Sequence, residues 1–383
     1  MTSNVRQKPH TSHHTSQPAY NYPPPPVHNM FSRIDHFDVK GKLVIISGAS
    51  QGLGRALATQ IYARGGSVVL VARRESLLRD TVAELESSAA SGAGDAVKSG
   101  GDGVTTASAP EEGLLSSVTR KGQFATYIAA DLTSAKEAER VVSEALRIGG
   151  RAPDFVLCCA GACIPKLFLD LTPEELQSGV EINYYTALYL AHAAMRAMAT
   201  AAPQPTTPRG IVLFSSVTHF YSFIGYSQYA PLKSALRSLG DVLRQECIPY
   251  NISVSVVFAG NFQSEGYDAE NLTKPEITRQ IEGPSDAITA DACAEIVIRK
   301  LSAGKQMITT DFIGTVLSGL MVGASPSTGW FLVQGFFAFA LLIFGPVWNW
   351  MVNRDIKRYF EKKTQPTIKP APAPAEAAEP VKA

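Results

Sequence analysis

The chain has 383 residues, 45% of them hydrophobic and 18% charged, and a formal net charge of +1. Such a length and apolar content support one large α/β core with appendages, and the near-balanced charge gives no footing for a nucleic-acid binder. Five cysteines, Cys158, Cys159, Cys163, Cys247 and Cys293, lack the paired C-x-x-C spacing of a zinc site or a small disulfide scaffold, which implies reduced thiols in a cytosol-facing domain.

Residues 1–37 carry Pro23 to Pro26 in a row with scattered His, Ser, Thr and Asn, and no apolar run of the kind a signal peptide needs. A disordered arm is expected there. His10, His13, His14 and His28 fall in it without a fixed scaffold, so no metal site is expected. The run "KLVIIS" (42–47) reads as a strand buried on both faces. A glycine turn follows, then a helix through "RALATQIYARGG" stopped by Gly65 and Gly66, then a second buried strand, "SVVLVAR". A helix from Glu75 to Ser88 precedes a Gly, Ser and Ala-rich stretch, 89–122, expected to be an inserted loop. Strand signals resume in "FATYIAAD", "DFVLCCAG", "GIVLFSS" and "ISVSVVFAG", separated by helical stretches at 134–148, 173–200 and 227–247. A helix at 285–303 and a short strand, "QMITT", complete the series. Strands alternating with helices predict a doubly wound parallel sheet, in a domain spanning 38–311.

From Phe312 to Asn353 there is no charged side chain. The run Trp330 to Val352 is long enough to cross a hydrocarbon core of about 30 Å, with Trp330, Trp348 and Trp350 at its ends as interfacial anchors. A buried core helix or a dimer-interface helix is the alternative. A single span would place Arg354, Lys357, Arg358, Lys362 and Lys363 of the tail (354–383) across the membrane, against the positive-inside rule. A turn at Ser325-Pro326-Ser327 would instead fold the segment 312–353 into a hairpin with both ends in the cytosol.

The turn "SGASQGLG" (47–54) has two readings. Gly48 to Gly52 matches the G-x-S-x-G elbow of a serine hydrolase, in which Ser50 would be the nucleophile. That reading needs a downstream acid and histidine, and only His192, inside a predicted helix, and His219 lie beyond Ser50. In the dinucleotide reading Gly48 permits the tight turn, Gly52 lets the backbone approach phosphate, and Gly54 lets the helix pack close on the sheet, with Ser50 and Gln51 facing the phosphates. The second strand ends in Ala72-Arg73-Arg74, without the acidic residue that holds a ribose 2′-hydroxyl. Arg73 suits a 2′-phosphate, which predicts a Rossmann-like domain that takes NADPH.

"YAPLK" places Tyr229 and Lys233 four residues apart at a helix start, where the ammonium is expected to lower the phenol pKa. Ser216 ends a strand thirteen residues upstream. Ser215 is the other hydroxyl, but strand alternation aims it to the opposite side. Together with the glycine turn these residues resemble the short-chain dehydrogenase/reductase family, over roughly 42–310. Three positions depart from its pattern: Ser47 for Thr, Cys158-Cys159-Ala160-Gly161 for N-N-A-G, and Ala259-Gly260 for Pro-Gly. The resemblance implies that Tyr229 is the general acid, that Lys233 tunes it and binds the nicotinamide ribose, and that Ser216 holds the ketone oxygen. It further implies that Asn183 anchors a proton-relay water and that Asp131, with Leu132 beside it, meets the adenine. Pairing through the helices that carry Asn183 and Tyr229 would make the protein a homo-oligomer. Within the family the chain is similar to membrane-bound reductases of a long-chain sphingoid base, which act at the endoplasmic reticulum with the catalytic domain facing the cytosol. Phe262 and Tyr267 would then line an apolar entrance. The alternatives are a reductase of a steroid, retinoid or 3-ketoacyl lipid and a non-catalytic NADPH-binding scaffold.

Overall fold

The computed structural model describes residues 35–91, 122–201, 205–283, 287–321 and 331–362. The predicted arm up to Ile34, nearly all of the predicted insert, the turn at Ser325 to Ser327 and the tail beyond 362 lie outside them.

Seven strands form one parallel sheet in the order β3-β2-β1-β4-β5-β6-β7. They are β1 (Leu43–Ser47), β2 (Ser67–Ala72), β3 (Ala125–Ala129), β4 (Phe155–Cys158), β5 (Arg209–Ser216), β6 (Ile252–Ala259) and β7 (Met307–Thr309). β1 is buried along its whole length. Its Ile45 is in register with Val69 of β2 and Val156 of β4. Leu43 and Ile45 face one core layer, while Val44 and Ile46 face the other, so a continuous apolar run is what a strand covered on both sides requires. The strand order reverses between β1 and β4, where Ser47 pairs with Cys158. The crevice beyond the carboxyl ends of the strands at such a reversal is where open α/β sheets bind ligands.

Helices α1 (Gly52–Ala63), α2 (Glu75–Ser91) and α3 (Ala135–Gly149) link the first four strands. α3 starts where the Ser134 hydroxyl accepts from Glu137 N and stops at Gly150, whose φ of 65° permits the left-handed exit. The stretch expected as one helix over 173–200 is instead α4 (Pro173–Val180) and α5 (Thr186–Thr200), joined by a π-helical turn, Glu181–Tyr185. Asn183 sits in that turn, and its side-chain bonds, described below, hold the widened backbone. α6 (Ala230–Glu246), α7 (Glu265–Thr273) and α8 (Glu276–Glu282) follow. The helix predicted from 285 begins later, as α9 (Ala290–Ser302), because Thr289 caps it by accepting from Ala292 N.

Residues 312–321 form the six-residue α10 (Phe312–Leu317), capped by Asp311, and a 3-10 turn, Ser318–Met321. The last helix, α11 (Phe331–Lys362), has 32 residues and continues past the charge-free run to include Arg354, Lys357 and Arg358. Among the described residues it is the one helix long and apolar enough to cross a membrane, and only 6% of its apolar window is buried. That exposure excludes the reading as a core helix.

Candidate active site

The glycine turn closes around β4. Gly48 has φ of 67°, and a Cβ there would lie 3.0 Å from the backbone of Ala160. Only glycine meets both demands. The Ser47 hydroxyl accepts from Ala160 N at 3.2 Å and donates to the Leu157 carbonyl at 3.4 Å, bracing the turn against the end of β4. A Cβ on Gly52 would approach Ser264 at 3.1 Å, since the loop after β6 folds over the turn. Gly54 does a different job from the one expected. Its Cβ would lie 2.4 Å from the Gly48 carbonyl, so it lets the first turn of α1 close on the glycine turn itself, and not on the sheet. Ser50 is buried and lines the cavity, while Gln51 accepts a bond from Arg74, which also faces Glu265 at 3.6 Å. Arg73 is exposed on the cavity rim, with no hydrogen bond or ion pair among the described residues. Asp131 accepts from the Thr133 backbone and hydroxyl, and the buried Leu132 lines the same cavity.

Tyr229 is the residue before α6, and Lys233 lies one turn on, with its Nζ 5.2 Å from the centre of the phenol ring. The ammonium donates to the Phe214 carbonyl at 3.0 Å. Ser216, at the end of β5, accepts from Thr218 N at 3.2 Å, and its hydroxyl faces Tyr229. The Ser215 hydroxyl donates to the Lys233 carbonyl at 2.7 Å, which ties β5 to α6. Asn183 is fully buried. Its Nδ2 donates to the carbonyls of Ala162 and Gly179, and its Oδ1 accepts from Ala162 N. The positions of Asn183 Oδ1 and Lys233 Nζ meet at Gly161, where a Cβ would lie 3.0 Å and 3.1 Å from them.

The expected lowering of the phenol pKa is not found. Burial pushes Tyr229 well above the usual tyrosine range, with Cys163 and Glu270 adding to the rise and the neighbouring Ser216 hydroxyl opposing it. The reason is geometric, because Lys233 lies over the ring and bonds to Phe214. Burial also lowers Lys233 to about 8. The phenol is therefore protonated at neutral pH, the state from which a general acid starts.

Ser216, Tyr229 and Lys233, but not the fully buried Asn183, line one cavity of about 1310 Å³ together with Phe262 and Tyr267. Its wall carries a charged cluster that sequence reading missed. Lys274, 5% exposed, lies 3.2 Å from Glu270 and 2.7 Å from Glu282. The Tyr226 hydroxyl donates to Glu270 at 2.8 Å, and Asn261 donates to Glu282 at 2.7 Å. Burial works to lower Lys274, but its bonds and charges with Glu282 and Glu270 outweigh that and hold it above its ordinary value. The members come from α6's entry, the loop after β6, α7 and α8, so no local spacing announces them.

The model of the short chain dehydrogenase family matches residues 42–98 and 90–274. The chain is 43% identical over 328 residues to a 3-ketodihydrosphingosine reductase of Yarrowia lipolytica, covering 86% of this chain and 80% of that protein. It is 38% identical over 289 residues to the protein of that name in Saccharomyces cerevisiae, covering 75% and 84%. A short-chain dehydrogenase/reductase from Burkholderia phymatum, solved in complex with NAD, superposes with a TM-score of 0.56 at 17% identity, covering 74% of this chain and 92% of that one. A short-chain type dehydrogenase/reductase from Mycobacterium marinum gives the same TM-score at 22% identity, covering 73% and 98%. With that sheet, that glycine turn and these matches, the chain belongs to the short-chain dehydrogenase/reductase family.

Proposed function

We propose that this chain reduces 3-ketodihydrosphingosine to dihydrosphingosine, using NADPH. The observation that carries the reading is the meeting of Tyr229, Ser216 and Lys233 in one cavity, in a chain 43% identical to a protein named for that activity. The turn fits a dinucleotide, since Gly48, Ser50, Gln51, Gly52 and Gly54 all line the cavity. Gly48, Ser50, Gln51, Gly52 and Gly54 would hold the pyrophosphate, and Asp131 and Leu132 the adenine. Arg73, exposed on the rim with no ion pair among the described residues, would pair with a 2′-phosphate, whereas Arg74 is already held by Gln51 and Glu265. When bound, the cofactor supplies the hydride to the carbonyl carbon. Tyr229 donates its proton to the ketone oxygen, Ser216 hydrogen-bonds the same oxygen, and Lys233 steadies the charge that the phenol acquires. Asn183 fixes the loop at Ala162 and would seat the relay water.

The wall beside Tyr229 favours this substrate over a neutral steroid or retinoid. Glu270 and Glu282 both line the cavity, while Lys274, which bonds to both, does not. 3-Ketodihydrosphingosine carries an ammonium on the carbon next to its ketone, which such a wall attracts. α11 would anchor residues 38–311 to the endoplasmic reticulum membrane on its cytosolic side, in a homo-oligomer joined through the helices bearing Asn183 and Tyr229. A panel of long-chain 3-keto base, steroid, retinoid and 3-ketoacyl substrates tests the proposal. The 3-keto base should be turned over fastest, and a preference for any of the others would replace it.

A further inference from the structure

We infer that α11 is a wall of the substrate site as well as an anchor, and that the hydrocarbon chain of the substrate reaches Tyr229 through a seam at Gly345. The inference rests on the reading of the substrate as a long-chain lipid ketone.

The cavity that holds Tyr229 does not end at the cofactor turn. It continues to Leu341, Phe344, Gly345 and Trp348 on α11, with Leu317 and Leu320 facing them. Its volume of about 1310 Å³ exceeds the ~300–1,000 Å³ that encloses one drug-sized ligand, so it has room for a second molecule beside a dinucleotide. A smaller cavity of about 420 Å³ shares Leu320, Leu341, Gly345 and Asn349 with the first and is bounded further out by Leu342 and Pro346. Leu342 is 74% exposed. Apolar space thus runs from the reacting phenol, between α11 and the 3-10 turn, to the outer face of the helix.

The way α11 is held leaves that gap open. Near its start it packs tightly, since a Cβ on Gly319 would lie 3.0 Å from Ala338 N, and Phe312 meets Phe337 edge-on at 6.3 Å. Further along, the Tyr221 hydroxyl donates to Asn349 Oδ1 at 3.3 Å. Between these two attachments lies Gly345, where nothing among the described residues comes within 4 Å of an added Cβ. Pro346 follows it and removes the N–H that would bond the Leu342 carbonyl, which weakens the helix at the same level. A second copy or another helix seated on this face would cover the outside of α11. A flexible hydrocarbon chain is the occupant that also fills space continuous with Tyr229, and a bilayer around α11 delivers it there.

Gly345→Phe puts a ring at the seam, where an added Cβ meets none of the described residues, and Gly335→Phe puts the same ring elsewhere on α11, where an added Cβ also meets none of them and neither of these two cavities is lined. Full-length protein in phosphatidylcholine vesicles is assayed with 3-ketodihydrosphingosine and with a short-chain analogue, and NADPH fluorescence reports an intact fold. The ratio of kcat/KM for the long over the short substrate should fall by about tenfold or more in Gly345→Phe, the scale of a blocked apolar subsite, and stay near wild type in Gly335→Phe. Leu320→Trp, from the opposite wall, should lower the ratio in the same way and serves if the phenylalanine variant fails to bind NADPH. An unchanged ratio in both seam variants, with an active wild type, overturns the seam alone. A wild type that turns over neither substrate overturns the substrate reading and the seam together.

Discussion

Tyr229 keeps its proton because it is buried, and its neighbours decide when it can give that proton up. Tyr229→Phe should lower the rate by about 10²- to 10⁴-fold, the span of one general acid, while NADPH still binds by fluorescence titration. Lys233 is lowered by burial to about 8, so its ammonium persists at neutral pH and is lost as pH rises through that value. The reductase rate is therefore expected to decline above about pH 8. A kcat/KM profile that stays flat to the ordinary lysine value of 10.5 contradicts the role given to the ammonium. At the cofactor end, Arg73→Ala should raise the KM for NADPH by about tenfold or more and leave that for NADH nearly unchanged, because only the phosphate contact is lost. The glycine turn and the Tyr and Lys pair were legible because their chemistry depends on short spacings. The orientation of Lys233 was not, since four residues of separation bring two side chains near each other without fixing where the ammonium points. Ser50 illustrates the same limit. Its G-x-S-x-G setting is shared by two kinds of strand-to-helix turn, and the cavity around it is lined by a dinucleotide-type turn with neither His192 nor His219 among its walls.

The π-helical turn between α4 and α5 is the element on which the site's geometry depends. Asn183 satisfies both backbone groups of Ala162 from inside that turn, so Asn183→Ala leaves a buried N–H and C=O unpaired. The cost should be about 1–3 kcal/mol, read by chemical denaturation, with a loss of activity beyond what the instability explains. The strands were legible element by element, because a parallel sheet covered on both faces needs uninterrupted apolar runs and has them. The break in the 173–200 helix was not, since it is imposed by a contact with the β4 loop twenty-one residues upstream. The Glu270, Glu282 and Lys274 cluster escaped for the same reason. Its members meet only after β6, α7 and α8 have packed against the residues that precede α6.

For the whole molecule, α11 is proposed to serve both attachment and catalysis. Its 32 residues run about 48 Å at a rise of 1.5 Å each, longer than a ~30 Å hydrocarbon core, so in a spanning helix the charged end at Arg354 to Arg358 would reach the interface. Two sequons, at Asn251 and Asn271, report the orientation. Both should remain unmodified in cells, and a mobility shift on glycosidase treatment would place the domain in the lumen. Composition made the apolar segment plain, but its packing over the reaction cavity depends on tertiary contacts at Gly319, Phe312 and Tyr221, which no hydropathy pattern encodes. The most direct measurement is NADPH oxidation by membranes bearing the full-length chain, with dihydrosphingosine quantified beside it. Wild type should consume NADPH and form dihydrosphingosine one for one from 3-ketodihydrosphingosine, and Tyr229→Phe should form almost none. Absence of the product from wild-type membranes, or equal product from the Tyr229→Phe variant, would contradict the account.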